Sequence, residues 1–343
     1  MPIYTVLGPI APDELGRTSM HEHLLCDTRV WLTPATERPS SDRVEMSTLG
    51  FLRWNVAGLE DNLVIDEPDA VVDELSAARV AGASAVVDLT VVGIGRDVAR
   101  LPDVSRRSGV HVIAGCGFYL DVAHPSWVED AAVEAIAAVM TRELVHGVDD
   151  TGIRPGMIGE IGTGHAFTAA ERKVVLGAGI AAASTGAAVN VHLDRRGDHA
   201  VEVVRMLTGE GVPADRIVLS HMDYQSLERN LEAVATGAVV EYDTFGSEVY
   251  YGSLGFKDPT DLERLGLVQA MVERGFASQI VLGCDTWTKT GLARYGGLGY
   301  RHLFARIAPL LTSRHGVPPE AITDMLEGTP RRILDRPAVE TLA

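Results

Sequence analysis

Short apolar runs punctuate the chain at near-regular spacing. TSMHEHLLCD (18–27) is followed by SAVVDLT (84–90), VHVIAGCGFY (110–119) and MIGEIGT (157–163). AVNVHLD (188–194), RIVLSHMD (216–223), AVVEYDTFG (238–246) and QIVLGCDTW (279–287) complete the set. Most are nearly continuous in apolar residues, as strands covered on both faces should be. Between them lie stretches with apolar positions at helical spacing, clearest at 67–82, 168–184, 199–211, 226–237 and 261–275. Several begin near Asp, Ser or Thr and several end in Gly, the residues that cap and stop helices. Eight strand–helix alternations predict an α/β chain folded as a (β/α)8 TIM barrel, one domain over residues 1–343. A doubly wound open sheet is the alternative, but no GxGxxG follows an early strand.

The surplus over the ~250 residues of a typical barrel falls into three connections. They follow the first strand (28–66), the seventh (247–259) and the eighth (286–300). All are βα loops, so they gather on the C-terminal face where barrel enzymes place their sites.

The same face collects ionisable residues that interrupt apolar runs. His21 and His23 end the first strand, Glu160 lies in the fourth, and His192, His221 and Asp285 lie near the ends of the fifth, sixth and eighth. Singly, each has a structural reading: a strand-end histidine that is hydrogen-bonded, an aspartate that caps a loop, a glutamate paired with a buried arginine. Together they make four imidazoles and two carboxylates on one face, costly to bury unless paired or coordinating a metal. Such a set suits Zn²⁺, Mn²⁺ or Co²⁺, and two ions sharing a bridging ligand would use all six. Strand alternation puts His21 and His23 on one side, about 7 Å apart. Glu22 then points away from the interior, toward a base or a backbone donor.

Composition narrows the partners. A net charge of −17 over 343 residues argues against nucleic acid and anionic membrane surfaces. No basic, apolar leader opens the chain and no run approaches the ~18 apolar residues of a membrane span. Three cysteines (Cys26, Cys116 and Cys284) fit a reducing cytoplasm better than a disulfide scaffold, and read as small core residues.

The segments TVLGPI…ELGRTSMHEHLLCD, GFYLD, GMIGEIGTG, VHLDRR, LSHMD, EYDTFG and GCDTWTKTGLARYGGLGY resemble, in this order and spacing, the phosphotriesterase-related family of the amidohydrolase superfamily. The resemblance implies that His21, His23 and Asp285 hold a buried metal and His192 and His221 a more exposed one. Glu160 stands where the family bridges both ions. The organophosphate-hydrolysing members carry a carboxylated lysine there, so glutamate puts phosphotriester hydrolysis in doubt as the natural activity. A homodimer is also implied.

Two ions sharing a water lower its pKa toward neutrality, and Asp285 beside it can take the proton and pass it to a leaving group. The expected activity is hydrolysis of a carboxylic ester, lactone or N-acyl amide. Arg195, Arg196, Lys289 and Arg294 near the face point to a small substrate with an anionic group. Pairing of these bases with Asp194, Asp223 or Asp243 is the competing reading. Tyr119, Tyr242 and Tyr295 are further pocket candidates, whereas nothing in the spacing of His124 or His165 requires metal. Organophosphate hydrolysis is the alternative chemistry, and a non-catalytic barrel that binds metal or ligand is the alternative of another class.

Overall fold

The computed structural model describes residues 1–337. All eight runs form strands: β1 Thr18–Glu22, β2 Ala85–Asp88, β3 His111–Cys116, β4 Met157–Thr163, β5 Val189–Leu193, β6 Ile217–Leu219, β7 Val239–Tyr242 and β8 Ile280–Leu282. Each is hydrogen-bonded in parallel to its neighbours in chain order. Helices follow the strands in turn: α1 Pro68–Val80, α2 Leu101–Ser108, α3 Val133–His146, α4 Ala169–Thr185, α5 Ala200–Gly209, α6 Leu227–Ala235, α7 Asp261–Val272 and α8 Ala308–Ser313. This is a (β/α)8 TIM barrel.

Local chemistry sets the helix ends. Thr168 accepts a hydrogen bond from the Glu171 amide, while the Glu171 carboxylate accepts one from the Thr168 amide, closing a capping box ahead of α4. Thr260 and Glu263 repeat the device before α7. The barrel interior is filled from below by alternate strand residues, among them Met20, Val87, Ile113, Met157, Val218, Val239 and Val281. An N-terminal hairpin, Ile3–Thr5 paired with Gly8–Ile10, and the C-terminal helix Thr329–Leu334 plug this end with Ile3, Ile333 and Leu334.

The three long connections are braced rather than loose. Cys26–Asp27 pairs antiparallel with Val64–Ile65 and draws the first loop together at its neck. Tyr250–Tyr251 pairs with Phe256–Lys257 in the seventh. Arg264 of α7, fully buried, anchors that loop: it donates to Asp223 at 3.1 Å, to Asp261 at 3.0 Å and to the Ser247 carbonyl at 2.9 Å.

Removing one partner of a buried ion pair strands the other. Arg264→Met is therefore expected to destabilise the protein by about 3–5 kcal/mol in urea unfolding, and Asp223→Asn in that background to recover part of the loss.

Candidate metal centre and active site

Alternation along the strands stacks the barrel interior in layers. Above the apolar floor, Asn190, Ser220 and Glu241 form a buried polar layer. Asn190 Nδ2 donates to Glu241 Oε2 at 2.7 Å, and Ser220 Oγ lies 2.8 Å from both side chains. Two residues further along their strands stand His192 and Asp243, and this upper level carries the six residues expected as metal donors.

Glu160 sits at the centre with almost no exposed surface. Its Oε1 lies 2.7 Å from His192 Nδ1, 3.1 Å from His221 Nε2 and 3.7 Å from His21 Nε2; its Oε2 lies 3.8 Å from His23 Nε2. Asp285 Oδ1 is 3.3 Å from His23 Nε2 and 3.7 Å from His21 Nε2. Donor atoms of His21, His23 and Glu160 fall within 4.8 Å of one another, as do those of Glu160, His192 and His221, and those of His21, His221 and Asp285. His21 Nε2 is buried and has no hydrogen-bond partner, an orphan that a metal would satisfy. Imidazole nitrogens and carboxylate oxygens suit a divalent ion, and the shared Glu160 makes the donor set that of a binuclear divalent-metal site.

The other nitrogen of three of the four rings, His21, His23 and His221, is tied down from outside. His21 Nδ1 lies 3.1 Å from Glu241 Oε2 and 3.1 Å from Asp243 Oδ2, and His221 Nδ1 donates to Asp243 Oδ1 at 2.9 Å. His23 Nδ1 lies 3.0 Å from Thr90 Oγ1, which donates to Asp88 at 2.6 Å. These bonds leave Nε2 of all three rings facing the cluster. Burial pushes the Glu160 carboxyl up, but the His192 and His21 rings and the bonds from His192 and His221 outweigh it and hold it well below the usual range. Burial is likewise outweighed at Asp243 by His221 and His21, which keep it ionised. Asp243, Glu241, Asn190 and Thr90 were not singled out from the sequence as parts of the site. The signal available was period two, since Asn190 precedes His192, and Glu241 precedes Asp243, by two positions in their strands.

Glu22 is buried on the opposite side of β1, as its strand phase predicts, and accepts from Ser19 Oγ and from the backbone amides of Cys284 and Thr286. Burial pushes its carboxyl up to about 7. Cys26, Cys116 and Cys284 are buried too, and burial raises their thiols, so none offers a thiolate to the centre.

Above the cluster opens a pocket walled by Trp31, Ile94, Tyr119, Tyr224, Tyr251, Leu254, Phe256 and Trp287, with His23, Glu160, His192, His221 and Asp285 at its base. Arg195 and Arg196 line it. Arg195 Nη2 donates to buried Asp258 at 2.6 Å, and its guanidinium lies over the rings of Phe256 (4.1 Å), Tyr224 (4.3 Å) and Tyr251 (4.9 Å). Arg196 pairs with Asp194, as the competing reading foresaw. Tyr119 also lines the pocket and accepts from Trp31 Nε1 at 3.1 Å, its hydroxyl 3.4 Å from His192 Nδ1.

Four expected pocket residues lie elsewhere. Tyr242 takes the outward phase of β7 and donates to Asn230 of α6 at 2.9 Å, because Glu241 and Asp243 take the inward one. Lys289 is buried against Asp61 at 2.8 Å and Glu67 at 3.6 Å, fastening the eighth loop to the first. The Tyr295 hydroxyl donates to Glu67. Arg294 borders a separate cleft with Glu74 and Arg301. His124 turns its Nε2 to the Tyr119 carbonyl, 2.8 Å away.

Asp243 serves two rings at once, so Asp243→Asn is expected to weaken metal binding by about 10–100-fold in a calorimetric titration, with the fold retained by circular dichroism.

Comparison with known proteins gives the family. The phosphotriesterase family model matches residues 1–334. An N-acetyltaurine hydrolase of Danio rerio is 36% identical over 340 residues, covering 97% of each chain. A resiniferatoxin-binding protein from Rhodobacter sphaeroides superposes with a TM-score of 0.94 at 33% identity, covering 97% of this chain and 95% of that one. The phosphotriesterase homology protein of Escherichia coli, with phosphate in its active site, gives a TM-score of 0.79 at 26% identity, covering 94% of this chain and 100% of that one. Family, barrel and donor set coincide, and the chain belongs to the phosphotriesterase family as a metal-dependent hydrolase.

Proposed function

We propose that the protein hydrolyses N-acyl amides whose amine part carries a sulfonate or carboxylate. The observation that carries this reading is the placement of Arg195 beside the six-donor cluster in one pocket. Its single identified side-chain hydrogen bond uses one of five N–H groups, and three rings hold its plane fixed. That leaves in-plane donors for an anionic head group. The N-acetyltaurine hydrolases, similar along nearly the whole chain, are named for a substrate of this kind.

His21, His23 and Asp285 would hold the buried ion, His192 and His221 the more exposed one, and Glu160 both. Bound there, a divalent pair lowers the pKa of a shared water and polarises the acyl oxygen; the nitrogen-rich set favours zinc, with manganese or cobalt next. Asp285, the most exposed of the six at 12% of its side chain, accepts the water's proton and returns it to the leaving amine. Trp31, Tyr119 and Trp287 form an apolar wall that takes the acyl group and excludes water. The same wall suits the ring or tail of a lactone or ester, the second reading. Phosphotriester hydrolysis is then a weak side activity of the same centre. We further infer a homodimer, and a cytoplasmic location from three buried free thiols.

A panel of N-acyl sulfonates, N-acyl amino acids, lactones, neutral esters and a phosphotriester tests the reading. N-acyl sulfonates or N-acyl amino acids should show the highest kcat/KM; full metal loading with no turnover of any substrate would return the binding-protein reading. Asp285→Asn should lower kcat by about 10³-fold in metal-replete protein. Arg195→Gln, which can still bond Asp258, should lower kcat/KM for the anionic amide by about 10–100-fold and leave a neutral ester within about threefold.

A further inference from the structure

Seven neighbouring strand pairs of the barrel are joined by parallel ladders, two of them with a register shift, but among the described residues no ladder joins β8 to β1. Their seam is closed differently. The Asp285 amide donates to the His21 carbonyl at 3.0 Å. On either side of that bond, the Cys284 amide donates to Glu22 Oε1 at 3.2 Å and the Thr286 amide to Glu22 Oε2 at 3.3 Å. Ser19 Oγ donates to Oε1 at 2.7 Å and completes the cradle. Gly283 admits the approach: a Cβ there would lie 2.9 Å from the His21 carbonyl oxygen and Cβ.

One side chain thus grips the peptide groups on both sides of Asp285. That residue gains from a grip, because its φ is +44°, a left-handed conformation that aspartate adopts more readily than most side chains but still at a cost. The turn aims Asp285 Oδ1 at His23 and His21. Glu22 has no part in the donor groups of the cluster itself, and its side chain is fully buried against the seam. Two acceptor oxygens meet two amide donors, a match that a carboxylate provides and a carboxamide cannot, since one end of the carboxamide is a donor.

We propose that Glu22 is a positioning residue for Asp285, its carboxylate fixing the left-handed turn that presents the aspartate to the metal-donor cluster. This rests on the reading of Asp285 as proton carrier and ligand.

The test compares Glu22→Gln, Asp285→Asn and the double variant, using the best substrate of the panel and, independently of turnover, hydrogen exchange of the metal-free protein. Glu22→Gln should speed amide exchange at Cys284 or Thr286 by about tenfold while the rest of the barrel is unchanged. It should lower kcat by about 30-fold or more with KM within about threefold. The double variant should be no slower than Asp285→Asn alone, since both changes disable one device. Faster exchange with wild-type kcat, or losses that multiply in the double variant, would reduce Glu22 to a seam closure and overturn the proposal. If Glu22→Gln does not fold, Ser19→Ala, which removes only the hydroxyl steadying Oε1, should lower kcat in the same direction by about 3–10-fold, and wild-type kcat there overturns the proposal. Should no substrate be turned over, the hydrolase reading fails by itself. The visible spectrum of the cobalt-loaded protein then decides: Glu22→Gln must shift it toward that of Asp285→Asn, and an unchanged spectrum refutes positioning.

Discussion

A carboxylate without water must be surrounded by donors, and Glu160 is such a carboxylate. Its neighbours are the four imidazoles of His21, His23, His192 and His221, held at 2.7 to 3.8 Å. From this one requirement much of the interior follows. Rings that face Glu160 with one nitrogen must find acceptors for the other, hence Asp243, Glu241 and the Thr90–Asp88 relay. Glu241 is itself fully buried, so Asn190 and Ser220 are needed beside it. The chain of demands ends only at the apolar floor of the barrel, where Val218 and Val239 ask for nothing polar. The polar core is thus a graded column rather than a patch of unusual residues.

Above this column the pocket walls proposed to select the substrate belong to the loops, and they are stiff for reasons independent of the donor cluster. Arg195 is held by Asp258 and by rings from the sixth and seventh loops. The seventh loop in turn hangs on Arg264, buried in α7. On the proposed reading, substrate choice and bond cleavage rest on different parts of the fold, the first on loop anchors and the second on strand ends.

The eight strands and five of the helices were legible because their patterns are long or uninterrupted. The six candidate donors were legible because each breaks an apolar run, five of them at or just past the same end of a strand and Glu160 within one. Assigning them to two ions came from the family resemblance, since spacing alone gives no account of which histidine faces which. Asp243 was read only as a possible partner of the loop bases, and Glu241 not at all, because their meeting with His21 and His221 lies in the register between β7 and its neighbours, which one strand cannot disclose. Tyr242 was misplaced although period two would have turned it outward. Lys289, Arg294 and Tyr295 sit in three-residue 3-10 turns, too short for any periodicity to report the direction of a side chain. The N-terminal hairpin is built of three-residue strands, too short to leave a pattern.

The seam between β8 and β1 has a consequence for how the protein is made. Glu22 and Cys284, partners across it, stand 262 positions apart in the chain. The first strand is synthesised early, yet its two histidines meet Asp285 only when the last strand arrives. Contacts of such separation form late and slowly, because a long loop must close before they can stabilise anything. Assembly of the donor cluster and closure of the barrel are consequently the same event, and a nascent or half-folded chain carries only part of the cluster.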